Sequence, residues 1–129
     1  MRIEHVAWQV NDPGAVAAGY CEHLDFTIKR HVDNAAQAHF LADASGQVMI
    51  EIYHNTKAPV FDYQALDPLQ LHLAFTCDDI PGTVQRLTEA GATLVEEIGD
   101  GSPDSDHIAM MRDPFGLAIQ FCRRATPMV

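Results

Sequence analysis

Basic residues are scarce in this 129-residue chain: eight Lys and Arg stand against 18 Asp and Glu, a formal charge of −10. That balance leaves no basic patch of the kind a nucleic-acid partner calls for. No apolar run approaches the ~18 residues of a membrane span, so no membrane partner is expected either. Cysteine is sparse as well. Cys21, Cys77 and Cys122 form no CxxC, which points away from a disulfide framework or zinc knuckle and towards reduced thiols in a core. Met1-Arg2-Ile3-Glu4-His5 enters a strand pattern at once and leaves no room for a signal peptide, so the expected compartment is the cytoplasm. What remains is ordinary for a globular protein: 47% apolar and 20% charged residues, enough length for one compact domain with a real core.

What is there is a repeat. Glu4-His5-Val6-Ala7-Trp8-Gln9-Val10-Asn11-Asp12 is echoed by Leu71-His72-Leu73-Ala74-Phe75-Thr76-Cys77-Asp78-Asp79, with an offset of 67 residues for both His5 to His72 and Asp12 to Asp79. A period of about half the chain sets the fold before any local reading does. Residues 3–10 alternate, with Val6, Trp8 and Val10 on one face, as a strand requires. Asp12-Pro13 then caps a helix running to about Leu24, with Val16, Ala17, Tyr20 and Leu24 buried. Strands follow at about 26–32, 37–42 and 47–53. The second copy repeats this order: a strand over about 70–77, then a helix from near Asp79 that buries Ile80, Val84, Leu87 and Ala90 and stops at Gly91. Its later strands fall at about 93–98, 107–112 and 117–123. Asp113-Pro114-Phe115-Gly116 has the composition of a type I turn, with Asp43-Ala44-Ser45-Gly46 as its counterpart. Residues 54–68 link the copies, and 99–106 read as the most flexible loop. The expected fold is α+β: two paired β-α-β-β-β modules forming a cupped mixed sheet with helices outside. As one domain over 1–129, it has module one at about 1–54, a linker at about 55–68 and module two at about 69–124.

Four polar residues interrupt these apolar strands at matched places. Period two puts Val48, Ile50 and Ile52 on one face and Glu51 on the other, beside Met49 and Tyr53. It likewise separates Leu117, Ile119 and Phe121 from Gln120. His5, Glu51, His72 and Gln120 should therefore all point away from the helices. A carboxylate within an apolar strand is costly unless it is paired or metal-bound. Two histidines with a carboxylate are a competent set for one divalent ion such as Zn, Ni, Fe, Mn or Co. His23, His31, His39, His54 and His107 lack matched partners and read as surface or supporting residues. Trp8 reads as core. Met49, Tyr53, Met110 and Met111 read equally as core or as the wall of an apolar pocket.

With these motifs the chain resembles the vicinal oxygen chelate superfamily, which includes glyoxalase I, extradiol dioxygenases, methylmalonyl-CoA epimerase, fosfomycin resistance enzymes and bleomycin-binding proteins. The resemblance rests on His5-Val6-Ala7, on Leu71-His72-Leu73-Ala74-Phe75, and on Arg112-Asp113-Pro114-Phe115-Gly116 before the final strand. It implies a metal held by His5, Glu51, His72 and Gln120, in a pattern closest to bacterial glyoxalase I, whose fourth ligand is glutamate. Gln120 departs from that pattern: an amide is the weaker ligand and cannot take a proton, which leaves Glu51 as the candidate catalytic base. The function implied is a metal-dependent lyase or isomerase that chelates two adjacent oxygens of a small substrate and stabilises an enediolate. Two alternatives stand beside it. A metal-free, bleomycin-resistance-like binding protein explains Gln120 easily. An Fe(II) ring-cleaving dioxygenase finds its His-His-carboxylate set in kind, but with the carboxylate in the first module rather than on the last strand. The expected partner is a small molecule, and a homodimer is allowed. No cluster of Lys29, Lys57, Arg112, Arg123 and Arg124 identifies an anionic substrate.

Overall fold

The computed structural model describes residues 1–47 and 49–128. It divides into two compact units, Met1–Phe61 and Asp62–Val129. The first unit runs β1 (Val6–Gln9), α1 (Pro13–His23), β2 (Thr27–His31), β3 (His39–Ala42) and β4 (Met49–Tyr53). The second runs β5 (Leu73–Thr76), α2 (Ile80–Glu89), β6 (Thr93–Ile98), β7 (His107–Arg112) and β8 (Ala118–Arg123). Each is thus a β-α-β-β-β module with one four-stranded mixed sheet, in the orders β1-β4-β3-β2 and β5-β8-β7-β6. The first strand pairs parallel with the last, as a connection carrying a helix permits. The α+β class and the doubled module expected from the repeat are both present.

Local chemistry places the elements. Asp12 accepts from Ala15 N at 2.9 Å and Asp79 from Gly82 N at 3.0 Å, so both predicted aspartate caps open helices. At the end of α2, Gly91 takes a φ of +97°. Gly91 N donates to Thr88 O and Ala92 N to Leu87 O, the paired bonds of a glycine-terminated helix. Both predicted turns close, Gly46 N on Asp43 O and Gly116 N on Asp113 O. In each module the helix covers one sheet face. Val16, Ala17 and Tyr20 bury with Trp8, Leu41, Ile50 and Ile52 in the first unit; Ile80 and Leu87 bury with Met111, Ile119 and Phe121 in the second. Each fully buried aliphatic side chain contributes about 1.5–3 kcal/mol.

The strands are shorter than the alternation suggests at just the places that concern the site. Pairing begins at Val6↔Ile50 and at Leu73↔Ile119, so β1 and β5 span 6–9 and 73–76 rather than 3–10 and 70–77. His5 and His72 each stand one residue ahead of a strand instead of inside it. Val48, read as sharing the face of Ile50 and Ile52, lies outside the described residues. Leu24, Val84 and Ala90 are half-buried rather than buried, and Thr83 takes a buried place on α2 instead. The outer strands β2 and β6 are exposed throughout, and each carries a register shift, between Ile28 and Arg30 and between Leu94 and Glu96. Bulges and charges there blunt an edge that could otherwise pair with another chain.

The loop over 99–106, read as the most flexible stretch, is internally bonded. Gly99 has a φ of +93°, and a Cβ there would meet Asp106 O at 2.1 Å, so only glycine fits. The Asp100 carboxylate accepts from Ser102 N (2.9 Å) and Ser105 Oγ (3.0 Å). Arg124 Nη1 donates to Asp106 at 2.6 Å, and Arg123 Nη2 to Ser102 O at 2.9 Å. The Ser102 N–H, with the Ser102 and Ser105 hydroxyls, holds the Asp100 carboxyl down at about 2, against an ordinary 3.8. The folded value is the depressed one, so this support is complete above about pH 4 and is lost as pH falls towards 2. An NMR titration of the Ser102 amide should therefore show its midpoint near 2; a midpoint near 4 would mean that the carboxylate does not hold the loop.

Candidate functional site

Backbone register supports the matched placement within each unit. Ala7 is paired with Glu51, and Ala74 with Gln120. Ala7 and Ala74 are separated by the same 67 residues as the two histidines. Glu51 and Gln120 therefore occupy equivalent lattice positions, each opposite the residue two places after its histidine.

In the first unit His5 and Glu51 come together, with Nε2 3.4 Å from Oε2 and both side chains only partly exposed, 30% and 21%. The His5 ring meets the Phe40 ring edge-on at 5.5 Å, and Phe40 is the β3 partner of Glu51. On its other side, His5 Nδ1 faces Glu4 Oε2 at 2.5 Å. In the second unit His72 and Gln120 have separate partners. His72 Nδ1 faces Pro68 O at 2.8 Å, and Gln120 Oε1 accepts from Cys122 Sγ at 3.2 Å. A carboxylate or carbonyl oxygen can only accept, so Nδ1 carries a proton in both rings.

The donor chemistry fits a divalent ion. His5 Nε2 and Glu51 Oε2 face one another, and either a proton on Nε2 or a bound cation would satisfy that approach; the two groups are of the types that would hold a divalent ion. Among the described residues no group of three or more His, Cys, Asp and Glu is placed to hold a metal ion.

The other histidines are engaged elsewhere. His31 and His39 are cross-strand partners stacked at 4.3 Å, and His39 Nδ1 lies 2.6 Å from Gln37 O. His54 Nδ1 lies 2.9 Å from Val10 O. His107, read as a surface or supporting residue, is buried and paired with Glu97 at 2.7 Å. Trp8 is buried, as expected. So are Met110 and Met111, the latter across from Ile119 on the helix-covered face and the former across from Gln120. All three cysteines are free thiols, and burial pushes the Cys122 thiol up.

Three contributors escaped the sequence reading. Arg112, taken as one of five scattered bases, donates from Nη1 to Tyr63 O (2.8 Å) and Gly116 O (3.1 Å), and from Nη2 to Leu66 O. Its guanidinium ties the start of this unit to the final turn and is spent on that. Cys122 fixes the Gln120 amide, an i, i+2 pair on one strand face that alternation could have shown. Glu4 was legible only as a difference between the copies: the equivalent residue is Leu71. The second unit also carries an open pocket of about 440 Å³ lined in part by Ala74, Phe75, Thr76, Cys122, Arg124 and Met128.

The sequence matches the family model of the Glyoxalase/Bleomycin resistance protein/Dioxygenase superfamily over residues 2–121, and the chain belongs to that superfamily. Among curated proteins it is 28% identical over 124 residues to a "Probable lactoylglutathione lyase" of Vibrio parahaemolyticus, covering 92% of this chain and 88% of the relative. A glyoxalase family protein from Bacillus cereus superposes with a TM-score of 0.78 at 21% identity, covering 95% of this chain and 93% of that one. An antibiotic binding protein from a Streptomyces species superposes at 0.66 with 20% identity, covering 94% and 96%. No described helix is long and apolar enough to cross a membrane.

Proposed function

We propose that the protein is a metal-dependent lyase or isomerase of the glyoxalase type, with His5, Glu51, His72 and Gln120 as the residues that hold a divalent ion. The observation that carries this reading is the 3.4 Å approach of His5 Nε2 to the Glu51 carboxylate, which puts two competent ligands side by side. When bound, the ion would supply a Lewis acid for two adjacent oxygens of the substrate and offset the negative charge that develops on them. Glu51 is the base: its carboxylate takes the proton from the carbon beside the substrate carbonyl and returns it to the neighbouring carbon. Glu4 and the Pro68 carbonyl hold the protons of the His5 and His72 rings on Nδ1. Gln120, an amide, orients without exchanging a proton. The similarity to a probable lactoylglutathione lyase makes hemithioacetals the first substrates to try.

Metal analysis of the purified protein tests this. One divalent ion per chain is expected, with His5→Ala and His72→Ala each cutting occupancy sharply. Unchanged occupancy in both variants would sink the proposal.

A second reading has its own support. Gln120 stands where a carboxylate is expected, and the second unit holds a pocket large enough for a small molecule. One structural neighbour is an antibiotic binding protein. Protein that binds no metal yet takes up a small apolar ligand would favour a binding function. Iron content with oxygen uptake would instead favour the dioxygenase reading.

A further inference from the structure

We infer that Glu4 is a positioning residue for His5, and that the two copies of the module support their histidines by unlike means. The inference rests on His5 being a ligand.

Neighbouring side chains on a regular strand point to opposite faces and do not touch. Glu4 and His5 are in contact because β1 begins only at Val6, which leaves both outside the pleat. The Glu4 carboxylate thereby reaches His5 Nδ1 at 2.5 Å, while Nε2 of the same ring turns to Glu51. Among the described residues no other histidine has a carboxylate at Nδ1 at such a distance: His39, His54 and His72 meet main-chain carbonyls there. The second copy lacks both anions. Leu71 stands at the place of Glu4, and Gln120 at that of Glu51. Its histidine is steadied by the neutral carbonyl of Pro68, four residues back.

The consequence is a division of labour between two halves of common design. The first module carries two negative charges along one line, Glu4–His5–Glu51; the second carries none at the equivalent points. Glu4 holds a proton on Nδ1 of the His5 ring, and it adds a negative charge beside that ring. Outer carboxylates of this kind typically change metal affinity 10–100-fold when removed.

The test separates this role from the metal reading. Nitrogen-15 NMR of the metal-stripped protein at pH 8 reads the imidazole tautomers directly. Wild type should show a proton on His5 Nδ1. Glu4→Ala should move that ring to the tautomer protonated on Nε2, where Glu51 accepts, and leave His72 unchanged, whereas Glu4→Gln, whose amide oxygen still accepts, should restore the Nδ1 proton. Titration with NiCl₂ should then show binding about 10–100-fold weaker in Glu4→Ala, with Glu4→Gln in between because it keeps the geometry and loses the charge. An unchanged His5 tautomer in Glu4→Ala overturns the positioning role whatever the metal does. A shifted tautomer in a protein that binds no nickel even as wild type upholds the positioning role and removes the metal reading instead.

Discussion

Glu51→Gln should lower turnover by about 10²–10⁴-fold, the usual contribution of a positioned acid–base group, while the protein keeps part of its metal. The amide oxygen can still coordinate, but it cannot take up a proton. The measurement needs a substrate, so a panel of hemithioacetals and 2-oxo compounds comes first, followed by kcat and metal content on the same preparations. Gln120→Glu is the reciprocal change. It supplies a second carboxylate at the position equivalent to Glu51, and should tighten metal binding because a full negative charge is added beside a divalent ion. Full activity in Glu51→Gln would show that another group is the base. Loss of all metal in that variant would show that Glu51 is chiefly a ligand.

Arg112→Ala should destabilise the second unit by about 3 kcal/mol, judged from the 1.5–3 kcal/mol typical of hydrogen bonds to a charged group. The side chain is the common donor to Tyr63 O, Leu66 O and Gly116 O, and its removal leaves those carbonyls to find water. Arg112→Lys should lose most of the same stability, since a single ammonium cannot span carbonyls that a planar fork reaches from two nitrogens. Urea unfolding checks both variants. A lysine variant as stable as wild type would mean that charge alone, and not the fork, secures the segment. Three of the five N–H groups of Arg112 are engaged by these carbonyls, so a base beside the Asp113-Pro114-Phe115-Gly116 turn does not by itself mark an anion subsite.

The doubled module was readable in the chain because its signals are local. Asp12-Pro13 and Asp79 open helices through bonds that span three residues. Gly91 ends α2 because it can take a positive φ. Asp43–Gly46 and Asp113–Gly116 close on themselves. Alternation along 49–53 and 118–123 put Glu51 and Gln120 on corresponding faces, and the register of the last strand against the first agrees with it. The shared offset of 67 residues links the two histidines.

Strand length was less legible. The alternation beginning at Ile3 continues outside β1, since a side-chain pattern persists where the backbone has no ladder partner. The bonding within 99–106 was no more legible: Gly, Ser, Pro and Asp are the residues of mobile loops and equally of tightly bonded ones. Which they form depends on whether Asp100 finds Ser102 and Ser105, and whether Asp106 finds Arg124.

By itself, then, the sequence determined the repeat, the caps, the turns and the candidate residues His5, Glu51, His72 and Gln120, because each follows from residue type and spacing along a few neighbouring positions. Tertiary structure alone decided what those residues touch. That Glu51 reaches His5 at 3.4 Å, that Arg112 is consumed by three carbonyls, and that His107 is buried against Glu97 are contacts across 46, 4 to 49 and 10 residues of chain. All but the nearest of these depend on how strands and loops are brought together, and hydrogen bonds are so short-ranged that an ångström of placement decides whether they exist.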